Sequence, residues 1–303
     1  MITSVIIPVY KNTKLFLNNL KKNLKFLDDC EILIVNDDPE KSIKKEIKSL
    51  KERNIFLIEN KKNLGFGQSV NIGAKYAKGD YLFLLNSDVI LTNKNYSYAL
   101  KHFKENPNLF AVSFAQVEKD NQIVGKNIIY FKDGLFYHQK ANNLNFGENA
   151  WAEGGACLID KKKFNYLGGF DNLYSPFYWE DVDLSYRAWK TGFKILFDPK
   201  ILVEHHHEST ISKYFDKNKV KTIAYRNQLI FTLKNLSDRR LFFQFLFFLF
   251  RKLTQSLFVF NFLNLFAFVN FLAKIPAILI IKEKNRKKIK IGDDVILSHF
   301  RDN

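Results

Sequence analysis

Sulfur is scarce in this sequence: 303 residues hold two cysteines and one methionine. Cys30 and Cys157 lie far apart, each inside an apolar stretch. They supply neither a disulfide framework nor metal-ligand spacing, so a reducing cytoplasm is the expected setting. The opening MITSVIIPVY lacks a basic leader and a signal-peptide core and reads directly as a first strand. No internal repeat recurs. Acids are few: 31 Asp and Glu stand against 47 Lys and Arg, a formal charge of +16. That balance points to an anionic partner, whether membrane lipid, nucleic acid or a phosphorylated substrate. Apolar residues are plentiful at 47%, with 31 Phe, ample for a packed core.

The first third alternates strand and helix signals. Apolar runs at 4–8, 31–35, 55–58 and 81–85 have no polar alternation, as suits strands buried on both faces. Between them lie helical patterns: Leu17, Leu20, Leu24 and Leu27, then Ile43, Ile47 and Leu50, then Val70, Ala74 and Ala77. The order β-α-β-α-β-α-β predicts an α/β fold with a mostly parallel, Rossmann-like sheet and flanking helices. Further on, a helix is expected over 96–105, strands over 109–117 and 156–159, and a loop region over 133–149. A helix over 180–190 capped by Gly192 comes next, then a strand over 193–197 broken by Pro199, and a helix over 220–236.

Polar clusters recur where ligands bind in such sheets, beyond the carboxyl ends of strands. Pro8, Val9 and Tyr10 follow the first strand, and Asp37 and Asp38 the second. Asn63, Gly65 and Gly67 precede a helix, and Asn86-Ser87-Asp88 follow the fourth strand. A carboxylate at Asp88 suits a hard divalent cation carrying a phosphorylated ligand, although Asn, Ser and Asp also make ordinary turns. Later, Glu180, Asp181 and Asp183 crowd one helix start behind Trp179. The helix dipole favours carboxylates there, but three in four residues exceed what capping requires.

The stretches SVIIPVY, EILIVNDD, NKKNLGFGQSVNIGAKYAKGDYLFLLNSDVIL, EGGACLIDKKKFNYLGGFD, FYWEDVDLSYRAWKTGFKILFDP and VEHHHEST resemble family-2 glycosyltransferases of the GT-A fold. The likeness is greatest to the rhamnosyltransferase-like branch that builds bacterial cell-surface polysaccharides, and it covers roughly residues 2–235. It implies an inverting transfer from a nucleoside-diphosphate sugar, dTDP-rhamnose first and UDP-sugars next, to a hydroxyl of a glycan or lipid-linked acceptor. Asp37 would accept from the base and Tyr10 stack on it; the alternative for Asp37 is capping a helix, with Asp38 its rival. Asn63, Gly65 and Gly67 would let backbone approach the donor. Mg2+ or Mn2+ would sit at Asp88 with His205 as helper. Asn86 stands where the family motif has its first acid, which removes one charge from that site. Gly154 and Gly155 resemble the acceptor-side loop, and Trp179 would offer an aromatic face to the acceptor or serve as a core aromatic. Asp181 would be the general base, Glu180 its rival, and Asp183 would pair with a nearby Arg or Lys. Adjacent His206 and His207 do not suggest a separate zinc site, since successive side chains diverge.

Beyond residue 235 the character changes. The run 241–250 is LFFQFLFFLF, residues 253–273 could span a bilayer by length, and 282–290 is KEKNRKKIK. Phe258, Phe262, Leu265, Val269 and Leu272 share one helical face. Two units are expected: a GT-A domain over 1–235 and a helical, apolar, membrane-associating tail over 236–303, peripheral on the inner face of the cell membrane. Truncation after Leu236 is then expected to leave the catalytic part intact. The alternative for the tail is a helical layer buried in a dimer or on the main domain. A nucleotidyltransferase would want a Gly- and Lys/Arg-rich loop after strand one, which PVYKNTKLF is not. A non-catalytic membrane-bound protein would leave WEDVDL unexplained. The tail is too apolar for nucleic acid.

Overall fold

The computed structural model describes residues 2–205, 213–258 and 262–301. The first third is β1 (Thr3–Val9), α1 (Thr13–Asn23), β2 (Glu31–Asn36), α2 (Lys44–Ser49), β3 (Ile55–Glu59), α3 (Phe66–Tyr76) and β4 (Tyr81–Leu85), in the predicted order. β4 pairs parallel with β1, β1 with β2 and β2 with β3. Successive strand residues face opposite layers. Val5, Ile7, Phe83 and Leu85 pack with Phe16 and Leu20 of α1. Ile6, Leu82 and Leu84 pack with Val70 and Ala74 of α3.

The middle of the chain extends the sheet. β5 (Val89–Leu91), α4 (Tyr98–Glu105), β6 (Leu109–Val117) and β7 (Ile123–Val124) precede a hairpin of β8 (Asn127–Lys132) and β9 (Leu135–Lys140). After β10 (Gly147–Glu148) come β11 (Ala156–Asp160), α5 (Lys161–Leu167), α6 (Glu180–Lys190) and β12 (Lys194–His205). The sheet runs β10-β12-β6-β11-β4-β1-β2-β3, with β5 on β12 and β7 on β6. β11 is antiparallel to both its neighbours, so the sheet is mixed rather than uniformly parallel. Gly192 ends α6 as expected, at φ 86° with Phe193 N donating to Ala188 O.

Two sequence expectations fail here. Residues 133–149 are not a loop region throughout: β9 pairs antiparallel with β8 across Asp133 and Gly134, both at positive φ. An Asp-Gly pair between apolar runs is a hairpin signal, and it stood in the sequence. Pro199 does not end the last strand. β12 continues to His205 through a register shift against β6 between Asp198 and Leu202. A bulge is how a sheet accommodates a residue with no N–H to donate.

The chain closes with α7 (Lys217–Asn235), α8 (Arg239–Phe258), α9 (Phe262–Arg286) and α10 (Asp293–Ser298). Residues beyond 235 complete the core. Phe245, Phe271, Ile278 and Ile296 are fully buried in the same cluster as Ile6 and Leu84. Asp293, also fully buried, accepts from Tyr186 Oη, Ser237 N and Asp238 N and pairs with Lys190 Nζ at 2.7 Å. A cut after Leu236 therefore removes part of the packing under α6, against the expectation of a separable tail. α9 runs unbroken through Pro276, forgoing one bond to the carbonyl of Leu272.

Candidate active site

A cavity of about 650 Å3 opens at the carboxyl ends of β1, β2 and β4. Its walls include Pro8, Val9, Tyr10, Asp37, Asn63, Gly65, Asn86 and Asp88. Facing them are Gly154, Gly155, Trp179, Glu180, Asp181 and His205. Gly67 alone among the candidates is not on the cavity. It sits in the first turn of α3, where an added Cβ would lie 3.0 Å from Cβ of Phe170, so its smallness serves helix packing. His206 and His207 lie outside the described residues.

Asp37 follows the last residue of β2 and is buried. Its Oδ1 accepts from Asn60 Nδ2 at 2.8 Å and Leu64 N at 2.9 Å, and its Oδ2 from Gly65 N at 2.8 Å. The carboxylate thus ties down the loop that enters α3. Burial pushes its pKa up, and these three donors oppose the rise. It caps no helix: α2 opens at Ile43 with no side-chain cap. Gly65 has φ +83°, and a Cβ there would meet Pro176 O at 2.5 Å, so only glycine lets the loop pass.

Across the floor runs a chain of polar contacts that the sequence did not reveal. Gln116 Nε2 donates to Glu153 Oε2 at 2.6 Å, which orients the amide so that Oε1 faces His205 Nδ1, also at 2.6 Å. Nδ1 is then the donor to Gln116, and Nε2 lies 3.1 Å from Asp88 Oδ1. With its Nε2 proton displaced, the ring would present a lone pair beside the carboxylate, an arrangement that suits a shared cation. Gly155 makes this closeness possible, since a Cβ there would lie 3.1–3.3 Å from His205, Asn86 and Gln116. Among the described residues no group of three or more His, Cys, Asp and Glu could hold a metal. Asp88 and His205 are thus a two-donor set that fits a cation whose other ligands come from a bound phosphate.

The acidic helix start is held by unusual backbone. Tyr178 and Trp179 both have positive φ, 71° and 75°, which costs free energy for bulky residues. Asn227 of α7, fully buried, holds the turn by donating at 2.9 Å to the carbonyls of Tyr174, Phe177 and Tyr178. Trp179 is buried, its ring edge-on to His138 at 4.7 Å and tilted against Phe231 at 4.9 Å.

The three acids behind it have three fates. Asp183 is fully buried and bonded to Arg187 Nε and Lys234 Nζ, each at 2.8 Å, and to Tyr174 Oη. Burial alone would raise its pKa, but Lys234 and Arg187 outweigh it and hold the carboxyl below its usual range. Glu180 is buried with Oε2 unpartnered, and burial, then the charge of Asp181, drives its pKa well above the usual range. Asp181 faces the cavity, accepting from Val182 N at 2.8 Å and Gly154 N at 3.4 Å. Burial, then Glu153, pushes it up to about 6.

Sequence reasoning also missed Glu153, His138 and Trp151 on the cavity wall. Glu153 stood one residue before the glycine pair already singled out. His138 and Trp151 needed the β8–β9 hairpin to be recognised.

The mixed sheet, the strand-end cavity and the acidic helix start define a GT-A fold. The profile described as Glycosyl transferase family 2 matches residues 4–168, more than half of the chain, and the chain belongs to that family. It is 26% identical over 171 residues to poly-beta-1,6-N-acetyl-D-glucosamine synthase of Staphylococcus aureus, covering 56% of this chain and 41% of that protein. It is 24% identical over 194 residues to polypeptide N-acetylgalactosaminyltransferase 11 of Xenopus tropicalis, covering 58% and 32%. The chain thus spans less than half the length of these curated relatives. Among solved structures, GalNAc-T7 with UDP, GalNAc and Mn2+ superposes with a TM-score of 0.62 at 16% identity, over 79% of this chain and 48% of that one. The mannosyltransferase PcManGT of Pyrobaculum calidifontis with GDP-Man and Mn2+ gives 0.54 at 13% identity, over 91% and 75%. At these identities the structural likeness speaks to fold.

Proposed function

We propose that the chain is an inverting glycosyltransferase that moves a sugar from a nucleoside-diphosphate donor to an acceptor hydroxyl, with Asp181 as general base. One observation carries the reading: Asp181 and the Asp88–His205 pair share a cavity and are separated by the Gly154–Gly155 backbone. The nucleoside lies along Pro8, Val9 and Tyr10. Asp37 Oδ2 accepts only one bond from the loop, so it retains capacity for a base N–H. A thymine or uracil base fits that acceptor, and dTDP-rhamnose, then UDP-sugars, are the donors to try first. UDP and GDP-Man in the similar structures support a nucleotide-sugar donor.

Asp88 and His205 would hold Mg2+ or Mn2+. When bound, the metal neutralises charge that builds on the leaving diphosphate. The acceptor, a glycan or lipid-linked hydroxyl, enters beside Trp179, Trp151 and His138. Its oxygen forms a bond to the anomeric carbon from the face opposite the diphosphate, and its proton passes to the Asp181 carboxylate. The bond from anomeric carbon to phosphate oxygen breaks, and its electron pair leaves with the nucleoside diphosphate. A carboxyl raised to about 6 is mostly ionised at neutral pH yet more basic than an ordinary Asp. Neutral, buried Glu180 has the character of a hydrogen-bond donor to a sugar oxygen rather than of a rival base. Release of nucleoside diphosphate, assayed across a panel of nucleotide-sugars, tests the reading; no turnover of any donor would overturn it.

A further inference from the structure

We infer that the outer face of the α8–α9 pair docks on an anionic lipid bilayer, with both helices lying along the surface. On α8, Leu241, Phe245 and Phe248 turn into the core, while Phe243, Phe247 and Phe250 are 68%, 67% and 65% exposed. On α9, Ala267, Phe271 and Ile278 are buried, while Leu265, Val269, Leu272 and Ile280 form an exposed stripe on the opposite side. The two helices meet through Phe245 and Phe271, ring centroids 6.5 Å apart. Phenylalanines do not remain in water over so large a patch without an apolar partner.

Charge says which partner. Residues 236–290 carry eleven Lys and Arg against two acids, a net +9. Not all of these cations are available: Lys282 Nζ donates to Leu233 O, and Lys288 Nζ to Tyr166 O. The cations on α8 are better placed. Arg239 and Arg240 precede the exposed phenylalanines, Arg251 follows them, and all three are exposed. Arg240 and Arg251 flank Phe243 and Phe247 in one shallow groove. Apolar rings bracketed by cations match an acyl layer beneath anionic headgroups. A second copy of the chain would bring the same cations against each other.

α9 is long and apolar enough to cross a membrane over Leu265–Arg286. Its buried stripe is packed on the protein, so it lies along the lipid instead of being surrounded by it. The helix runs alongside α7: Lys282 bonds Leu233, and Lys274 lies within electrostatic reach of Arg226. Two residues before Arg226, Ala224 lines the cavity. α7 thus stands between the inner side of α9 and the cavity, so an acceptor carried by the membrane would reach the site past α7. That last consequence rests on the transferase reading; docking itself does not.

The test is co-sedimentation of the full chain, without substrate, with vesicles of phosphatidylglycerol and phosphatidylethanolamine and with vesicles of phosphatidylcholine. Wild type should bind the anionic vesicles more tightly, and less so as salt rises. Phe243→Ser, Phe247→Ser and Phe250→Ser combined should weaken binding by about tenfold or more. These side chains are exposed, so circular dichroism should show the fold kept. Phe266, also exposed, is replaced together with Val269 on α9 (Phe266→Ser with Val269→Ser) to repeat the test there. Equal vesicle binding by wild type and both variants would overturn the proposal. So would failure of wild type to bind vesicles alongside a solution dimer that the variants dissociate. A protein that binds vesicles but turns over no donor would uphold docking and remove the transferase reading.

Discussion

His205 Nε2 stands 3.1 Å from Asp88 Oδ1 across 117 residues of chain. The bulge at Pro199 lets β12 run far enough to deliver His205, and Gln116 fixes which nitrogen faces the carboxylate. Gln116→Leu removes that orientation while leaving both donors in place. Titration of divalent metal against nucleotide binding by calorimetry should show metal affinity weakened about 10–100-fold, the usual effect of losing such a partner. Unchanged metal affinity in Gln116→Leu would remove Gln116 from this role.

Asp37 holds the loop beside the cavity through three accepted hydrogen bonds. Asp37→Ala leaves two backbone N–H groups and the Asn60 amide without that partner. Urea denaturation should show a loss of about 2–4 kcal/mol, the cost of several unsatisfied polar groups. Affinity for UDP or dTDP should fall as well. Unchanged stability would mean the loop is held by other contacts.

That Tyr10, Asp37 and Asp88 meet on one cavity was legible because each follows a strand that apolar runs mark clearly. Tyr10, Asp37 and Asp88 needed only the strand ends and the topology rule. Asp181 and its neighbours were legible as a motif, and so was the pairing of Asp183 with a nearby Arg or Lys; how deeply each acid is buried and which partners it meets were not, because the fold sets them. Only packing shows that Asp183 lies against Lys234 while Glu180 has no partner at Oε2. Gln116 and Asn227 left no local signal, since each acts across tens of residues. How the helices after residue 235 pack was hidden for a related reason. Periodicity shows that a helix has an apolar face, and the fold decides whether that face meets solvent or core.

Asp293 tests that integration. It is buried against Lys190, Tyr186 and the Ser237–Asp238 turn, and its removal strands a buried ammonium. Asp293→Ala should cost about 3–5 kcal/mol by chemical denaturation, as for other broken buried pairs. A chain cut after Leu236 should be less stable than the full chain. Equal stability would show that the last helices contribute little.

The pKa of Asp181 sets a pH dependence. The base works ionised, and its pKa is raised to about 6, so protonation removes activity on the acid side. The ratio kcat/KM should be level above that value and fall about tenfold per pH unit below it. Glu180→Gln preserves the neutral state that burial already imposes and should keep the transfer rate near wild type. It also removes the neighbouring carboxyl, and the acid limb should persist. A dead Glu180→Gln beside an active Asp181→Asn would exchange their roles.

The central claim is that Asp181 takes the acceptor proton. The most direct measurement is the transfer rate of Asp181→Asn, with donor affinity determined on the same protein. The substitution keeps shape and removes the base. Donor affinity should be unchanged and the transfer rate lower by about 10²–10⁴. Transfer near the wild-type rate, with donor affinity intact, would contradict it.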